Sequence, residues 1–320
     1  MPTWARELVI KRRIGFGIAE GVLMEIEIVA EELGFAEGPV AMPNGDIVTV
    51  DVRGGRLVRI TPDGSTTDIA APGGGPNGAA IGPDGALYVV NNGGFPWSER
   101  GGLLIPVDEH GSTRPRGFEG GWVDRIDPET GAIDRLFDGL DGERFRGPND
   151  IVFDRAGGFW FTDLGKSDTR SADRGSLFYA RPDGTGLRRA VAGLLGPNGV
   201  GLSPDGTEVY VTETLTGRLL AWDVAGPGEV AGGPRILMAT PNHFDSLAVE
   251  ADGTVVVAAI SHGLCVRRPD GEISHVEVPD VMTTNICFAG DDLHTAYITM
   301  SGSGRLGRVR WPRPGLRLVF

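Results

Sequence analysis

Short apolar runs separated by turn residues recur along the chain. Each unit opens with a polar residue, continues through an apolar run and a turn of the PDG or NG kind, and ends in a second apolar run. Runs rich in Val, Ile, Phe and Tyr around a glycine predict two strands joined by a tight turn. The copies are GPNGAAIGPDGALYVVN from Gly75, GPNDIVFDRAGGFWFTD from Gly147, GPNGVGLSPDGTEVYVTE from Gly196, NHFDSLAVEADGTVVVAA from Asn242, and two weaker ones, AEGPVAMPNGDIVTVD from Ala36 and TTNICFAGDDLHTAYITM from Thr283.

The spacing of these units predicts a propeller. Successive opening residues lie 40, 72, 49, 47 and 40 positions apart, and four of these intervals match the blade repeat of about 40–50 residues. Further strand-like pieces follow each pair, so each unit holds about four strands. We therefore expect one all-β domain over 1–320, a six-bladed β-propeller with four antiparallel strands per blade. Residues 1–21 are expected to be an N-terminal extension, and VLMEIEIVAEE near Val22 to pair with RLGRVRW and close the ring.

The long interval contains an insertion, about Asn92 to Gly120, after the second strand of its blade. A shorter segment, Leu164 to Gly175, follows the second strand of the next blade. A second strand returns to the mouth where the first began, so both segments are expected on the same face of the ring. The insertion is predicted to be a lid whose Trp97, Arg114 and Arg116 contact substrate, with Phe95 beside them. The alternative is a mobile surface loop without contacts.

The opening residues themselves suggest a cation site. The first strand of each blade lines the central channel, so its opening residue is expected at one common mouth. Two buried carboxylates in one small volume need a cation or a proton, and oxygen-only ligands favour calcium over magnesium or manganese and disfavour zinc. Asn in PNG can simply form a turn, but that leaves the two acids unexplained. The six residues are Glu37, Asn77, Asn149, Asn198, Asp245 and Asn285.

The composition limits the kinds of partner that the protein is expected to bind. The 320 residues carry a formal net charge of −13, which argues against nucleic acid. Two cysteines, Cys265 and Cys287, are too few for a disulfide framework, so a reducing cytoplasm is expected. No apolar run of about 18 residues predicts a membrane span. The expected partner is a small molecule, and nothing indicates the oligomeric state.

At these residues the sequence resembles the family of senescence marker protein, gluconolactonase and luciferin-regenerating enzyme, and it is similar to diisopropylfluorophosphatase. The resemblance covers about residues 28 to 313, and its most specific pieces are AEGPV at 36–40, GPND at 147–150, PNGVGLSPDG at 197–206 and the Asp245 segment. It implies metal ligands at Glu37, Asn198 and Asp245, and a metal or substrate ligand at Asn149. Asn285 falls where a further polar channel residue occurs, and we expect it and Asn77 to contact substrate.

Two positions depart from the relatives. A second calcium site of the phosphatase would need an acid and a histidine where this chain has Ala248 and Cys287, so we do not expect that site. Animal lactonases carry an arginine where this chain has Gly147, and the nearest arginine is Arg146.

The resemblance implies hydrolysis of a sugar lactone by water, with one divalent cation and no organic cofactor. The cation, most simply Ca²⁺, would polarise the carbonyl; Mn²⁺, Mg²⁺, Zn²⁺ and Fe²⁺ are alternatives because lactonases of the family accept several metals. Asp245 is the candidate general base and Glu37 the second catalytic acid. Two alternatives stay open: a calcium-dependent esterase or organophosphate hydrolase, and a non-catalytic binding propeller.

Overall fold

The computed structural model describes residues 22–320, and in this range all the regular structure is β. Six four-stranded antiparallel sheets follow one another along the chain as blades 1 to 6. Two short strands, β1 (Val22–Leu23) and β2 (Glu27–Ala30), precede them. The first three blades are blade 1, with β3 (Ala36–Ala41), β4 (Ile47–Asp51), β5 (Arg56–Ile60) and β6 (Thr66–Ala70); blade 2, with β7 (Pro76–Ile81), β8 (Leu87–Asn91), β11 (Trp122–Ile126) and β12 (Ile133–Phe137); and blade 3, with β15 (Pro148–Phe153), β16 (Phe159–Asp163), β17 (Gly175–Ala180) and β18 (Arg188–Leu194).

The second half of the chain repeats the same arrangement. Its blades are blade 4, with β19 (Pro197–Leu202), β20 (Glu208–Glu213), β21 (Arg218–Gly226) and β22 (Glu229–Ala239); blade 5, with β23 (His243–Val249), β24 (Val255–Ile260), β25 (Gly263–Arg267) and β26 (Ile273–Glu277); and blade 6, with β27 (Thr283–Ala289), β28 (Thr295–Met300) and β29 (Arg305–Arg310). Two small hairpins stand outside the blades: β9 (Ser98–Arg100) with β10 (Leu103–Ile105), and β13 (Gly139–Leu140) with β14 (Glu143–Arg144).

The turn between the first two strands of a blade needs a positive φ eight residues after the opening residue. Glycine supplies it in five blades, for example Gly85 with φ 77° and Gly206 with φ 74°. Blade 6 lacks this glycine and places Leu293 there with φ 54°, a conformation that side chains with a Cβ adopt at some cost. The turn geometry is therefore kept even where the sequence pattern departs.

The core lies between the blades. Six clusters of buried side chains each join two neighbouring sheets, one cluster at every junction of the ring. Between blades 2 and 3 the cluster is aromatic, with Tyr88 against Phe153 and Phe159 at ring-centroid distances of 5.0 and 5.8 Å. The apolar faces of successive sheets thus bury one another around the whole circle, which is why no single blade is a separate domain.

The ring closes through its first and last strands. β2 pairs antiparallel with β29 and becomes the fourth strand of blade 6, as the sequence predicts. β1 behaves differently, because it runs parallel to β26 at the outer edge of blade 5. The predicted extension, residues 1–21, lies outside the described residues. No helix of residues 22–320 has the length and apolar character needed to cross a membrane.

Candidate active site

The opening residue of every blade stands at an irregularity of the sheet. In all six blades the register between the first and second strands shifts at that point, for example between Glu37 and Val40 and between Phe244 and Leu247. β-Bulges of this kind re-aim side chains and are frequent next to active sites. All six opening residues are buried, with exposed fractions of 3 to 8%. Six innermost strands therefore present buried polar side chains at corresponding positions.

Threonines of the second strands hold this irregular backbone in place. The Thr212 hydroxyl accepts a hydrogen bond from the Gly199 amide at 2.7 Å and donates to the carbonyl of Asp245 at 2.5 Å, in the next blade. Thr162 repeats the arrangement, accepting from the Asp150 amide and donating to the Asn198 carbonyl. These bridges couple the bulge of blade 3 to that of blade 4, and the bulge of blade 4 to that of blade 5.

Direct contacts connect several of the predicted site residues. The Asn285 Nδ2 donates to Glu37 Oε2 at 2.8 Å, and the Gly38 amide donates to the same oxygen at 2.6 Å. Asn285 Oδ1 accepts from the Ile286 amide at 2.8 Å, so both ends of this side chain are engaged by protein. The Asn285 side chain therefore holds Glu37, and its contact with substrate stays a prediction. Asn77, in contrast, makes no side-chain hydrogen bond within residues 22–320.

Asn198 and Asp245 are linked in a similar way. A hydrogen bond from Asn198 favours the charged form of Asp245, and the Ser246 hydroxyl lies 3.5 Å from Asn198 Oδ1. Asn198 Nδ2 also donates to the Thr214 hydroxyl at 3.1 Å. The Asn198 amide is thus held at its nitrogen by Thr214 and at its oxygen by Ser246.

A third buried acid, Asp150, joins Glu37 and Asp245, and the sequence analysis did not identify it. It follows Asn149 directly, accepts from the amides of Ile151 at 2.9 Å and Val200 at 3.2 Å, and is 8% exposed. Regular alternation would turn this position away from the channel, and the bulge is what brings it in. In the sequence, Asp150 could have been recognised by its charge. The residues directly after the opening residue in the other five blades are uncharged: Gly38, Gly78, Gly199, Ser246 and Ile286.

Burial raises the pKa of all three acids, and repulsion between the carboxylates adds to it for Asp245 and Asp150. Burial is the larger cause for Asp245, whose pKa lies well above its usual value, and the charges of Glu37 and Asp150 add to it. The pKa of Asp150 rises to about 7, first through burial and then through the charge of Glu37. Burial also raises the pKa of Glu37, against the hydrogen bonds that it accepts. No basic side chain of residues 22–320 offsets these charges, so the group attracts a cation or protons.

The donor set fits a hard cation. Asn149 Oδ1 is buried without a hydrogen-bond partner among the described residues, which is costly unless another group satisfies it. Carboxylate and amide oxygens, as at the other openings, are the ligands that calcium prefers. Within residues 22–320 no three acidic, histidine or cysteine side chains are grouped as a metal site on their own. A cation here would therefore need the amide oxygens as well as the carboxylates.

The insertion is packed against the ring on two opposite sides. At one end it reaches blade 6, where the Leu104 amide lies 3.4 Å from the Gly302 carbonyl, and Trp97 packs against Phe35 just before blade 1 with ring centroids 5.1 Å apart. At the other it reaches the loop after β16, where the Thr113 amide donates to the Ser167 carbonyl at 2.9 Å. In a propeller of six blades, blades 3 and 6 lie on opposite sides of the central channel. The insertion is thus an attached element, not a loop without contacts.

The residues predicted to read the substrate fall into different environments. Arg114 forms an ion pair with Asp173 at 3.0 Å, so its charge is already engaged. Arg116 is exposed, and Trp97 is half-buried in the apolar cluster between blades 1 and 2 together with Phe95. Of the positions that depart from the relatives, Cys287 is partly buried, and burial raises the pKa of its thiol to about 12. Arg146 is exposed.

Comparisons with known proteins agree with this architecture. The family model described as SMP-30/Gluconolactonase/LRE-like region matches residues 35–302. The chain belongs to this family. Among curated relatives of the SMP-30/gluconolactonase/LRE-like family, a gluconolactonase of Zymomonas mobilis is 28% identical over 317 residues, covering 89% of this chain and 81% of the relative.

Solved structures of this family share the fold. A gluconolactonase from Xanthomonas campestris superposes with a TM-score of 0.72 at 22% identity, covering 90% of each chain. Regucalcin from Agrobacterium tumefaciens, described as a calcium-binding protein, superposes with a TM-score of 0.71 at 19% identity, covering 94% of this chain and 100% of that one. The expected family and the six-bladed fold are both confirmed.

Proposed function

We propose that this protein is a divalent-cation-dependent hydrolase that opens a sugar lactone. The observation that carries the proposal is the set of three buried acids without a basic partner in residues 22–320, placed beside amide oxygens at the bulged openings of the innermost strands. The family and the lactone-hydrolysing names of its relatives supply the substrate class. A site of this kind is suited to polarising a carbonyl and receiving a proton from water.

Glu37, Asn149, Asn198 and Asp245 would hold the cation. Their oxygens favour calcium, and a structural relative is described as calcium-binding. When bound, the cation would polarise the lactone carbonyl and stabilise the negative charge that develops on its oxygen. Asn285 keeps Glu37 oriented through the 2.8 Å hydrogen bond to Oε2.

Asp245 is the proposed general base. Burial and the neighbouring acids raise its pKa in the cation-free protein. Beside the cation, its carboxylate would accept the proton of the attacking water. It would take a proton from the water whose oxygen bonds to the lactone carbonyl carbon. As the bond between that carbon and the ring oxygen breaks, Asp245 would return the proton to the ring oxygen, which leaves as the new hydroxyl. Asn77, whose amide has no side-chain partner in residues 22–320, would bind substrate hydroxyl groups at the same mouth.

The test is a cation-resolved assay of lactone opening. Protein stripped by a chelator is presented with a panel of sugar lactones in a pH-stat, and Ca²⁺, Mn²⁺, Mg²⁺ and Zn²⁺ are added back one at a time. We expect acid release only after a cation is restored, with calcium effective. Activity that is indifferent to the chelator would contradict the cation requirement. Hydrolysis of fluorophosphates or simple esters, with none of any lactone, would contradict the substrate class.

A further inference from the structure

The chain contains very few lysines. Of its 30 basic residues only Lys11 and Lys166 are lysines, and Lys166 is the one in the described part. Lys166 follows β16 on the face of the ring where the insertion lies, and it is 2% exposed. Lysine side chains are rarely buried without a paired acid. Within residues 22–320 no carboxylate lies within ion-pair distance of its amine, so its partners are of another kind.

The closest partners of the amine belong to the start of the insertion, and a more distant one, the Phe118 ring at 5.4 Å, lies near its end. Nζ donates to the Gly94 carbonyl at 2.7 Å and approaches Asn92 Oδ1 at 3.4 Å. It lies 3.7 Å from the centroid of the Phe95 ring, whose electron-rich face attracts a lysine amine. A carbonyl, an amide oxygen and an aromatic face thus converge on one nitrogen. Burial lowers the pKa of this amine well below its usual value, which fits the lack of a close acid.

The backbone of the same loop holds the end of the insertion. The carbonyl of Ser167, the next residue, accepts a hydrogen bond from the Thr113 amide. The Ser167 amide donates one to the Thr113 hydroxyl at 2.8 Å. The Lys166 amide donates to Asp173 at 3.1 Å, and Asp173 also pairs with Arg114. The loop after β16 therefore contacts the insertion in two places, near residues 92–95 and near residues 112–114.

We propose that Lys166 is a positioning residue that fixes the insertion against blade 3 and so sets the width of the channel mouth. A compact amine on a flexible stem fits between a carbonyl, an amide and a ring, where a planar guanidinium would be too wide. The effect of Lys166 on substrate binding rests on the proposed lactonase function. The effect of Lys166 on the position of the insertion does not.

The first test is limited trypsin digestion of the folded protein. Arg100 and Arg116 lie within the insertion, so cleavage after them reports how often it lifts from the ring. Lys166→Met keeps the apolar stem and removes the donor, and we expect cleavage about three- to tenfold faster, the value of one lost hydrogen bond. Phe95→Leu, which removes the aromatic face only, should change the rate in the same direction. The matched control is Arg170→Met, which removes a positive charge from an exposed position of the same loop.

The second test is steady-state kinetics on a sugar lactone with these variants. Lys166→Met should raise KM about three- to tenfold and leave kcat within about twofold, because the reacting groups are untouched. Cleavage rates of Lys166→Met equal to those of the native protein, or equal to those of Arg170→Met, overturn the proposal. Faster cleavage of Lys166→Met with an unchanged KM would contradict the proposed effect of Lys166 on the width of the channel mouth. If even the native protein opens no lactone, the proposed function fails, and the digestion still decides the role of Lys166.

Discussion

Glu37 and Asp245 are similar acids in different hydrogen-bond environments. Glu37 accepts from Asn285 and Gly38, so one of its oxygens is already committed to protein. Asp245 is restrained mainly by Asn198 and by the backbone of its neighbour. This difference suggests that Glu37 serves to hold a cation, whereas Asp245 can also take part in proton transfer.

Paired amide substitutions separate these two roles. Glu37→Gln and Asp245→Asn each remove one negative charge, so both should weaken cation binding, and the activity of Glu37→Gln should recover substantially at saturating calcium. Asp245→Asn should stay impaired by about 10²–10⁴-fold, the usual contribution of a general base. Lactone hydrolysis titrated with calcium measures both. Equal recovery of the two variants would remove Asp245 from the role of base.

Asp150 makes the cation-free protein sensitive to pH. Its pKa is about 7 in the folded protein and near 3.8 when unfolded. Between these values the folded state binds more protons than the unfolded state, so stability falls as the pH rises. The raised pKa values of Glu37 and Asp245 act in the same direction. For Asp150 alone the loss is on the order of 4 kcal/mol by pH 7.

Thermal unfolding in chelator and in excess calcium tests this. We expect the Tm difference between the two conditions to widen as the pH rises from 4 to 7, because a cation offsets the ionised acids. Using the difference removes the contribution of surface acids, which titrate in both conditions. Asp150→Asn should flatten the trend. A Tm difference of the native protein that does not depend on pH, or an equally steep trend in Asp150→Asn, would contradict the charge coupling.

At the scale of elements, the insertion is the largest departure from the blade repeat. It spans from blade 3 to blade 6 and places half-buried aromatic side chains beside the channel face. Its attachments are few compared with those of a blade, so it can be changed without breaking the ring.

Replacing residues 95–117 by a short glycine–serine link should therefore leave the fold and the cation content intact. We expect altered KM values and a broader range of accepted lactones, because the mouth loses one wall. Kinetics on a panel of lactones of increasing size, with elemental analysis of the purified variant, measures both effects. If every kinetic constant stayed the same, the insertion would have no part in substrate choice.

The elements most visible in the sequence were those that repeat. The apolar runs and turn glycines predicted the blades, and the opening residues could be aligned from Glu37 to Asn285 because each begins a copy. Asp150 was not predicted, because its direction depends on a bulge that strict strand alternation does not include. Lys166 was not predicted either, since its partners lie 72 to 74 residues earlier and are mainly backbone and ring atoms.

The whole molecule depends on the pairing of β2 with β29. Ala30 of β2 is 5% exposed and packs in the cluster between blades 6 and 1 with Leu306 of β29. Without β2 the edge of β29 would expose unpaired backbone groups, which favours aggregation.

Two truncations isolate this contribution. A chain that begins at residue 27 keeps β2 and loses β1, whereas one that begins at residue 31 loses both. We expect the second to unfold at lower urea and to form aggregates, because blade 6 is left with three strands. Urea titration and light scattering compare the two directly. Equal midpoints and equal scattering would show that β2 contributes little to the ring.

The hydrogen bond between Asn285 and Glu37 joins residues 248 positions apart, across the junction between blades 6 and 1. During synthesis Glu37 emerges early and waits for nearly the whole remaining chain before its partner exists. A growing chain with five finished blades therefore has Asp245 and Asn198 in place but no oriented Glu37. We expect the nascent protein to bind calcium weakly until that junction forms, so that cation capture comes last and marks a finished ring.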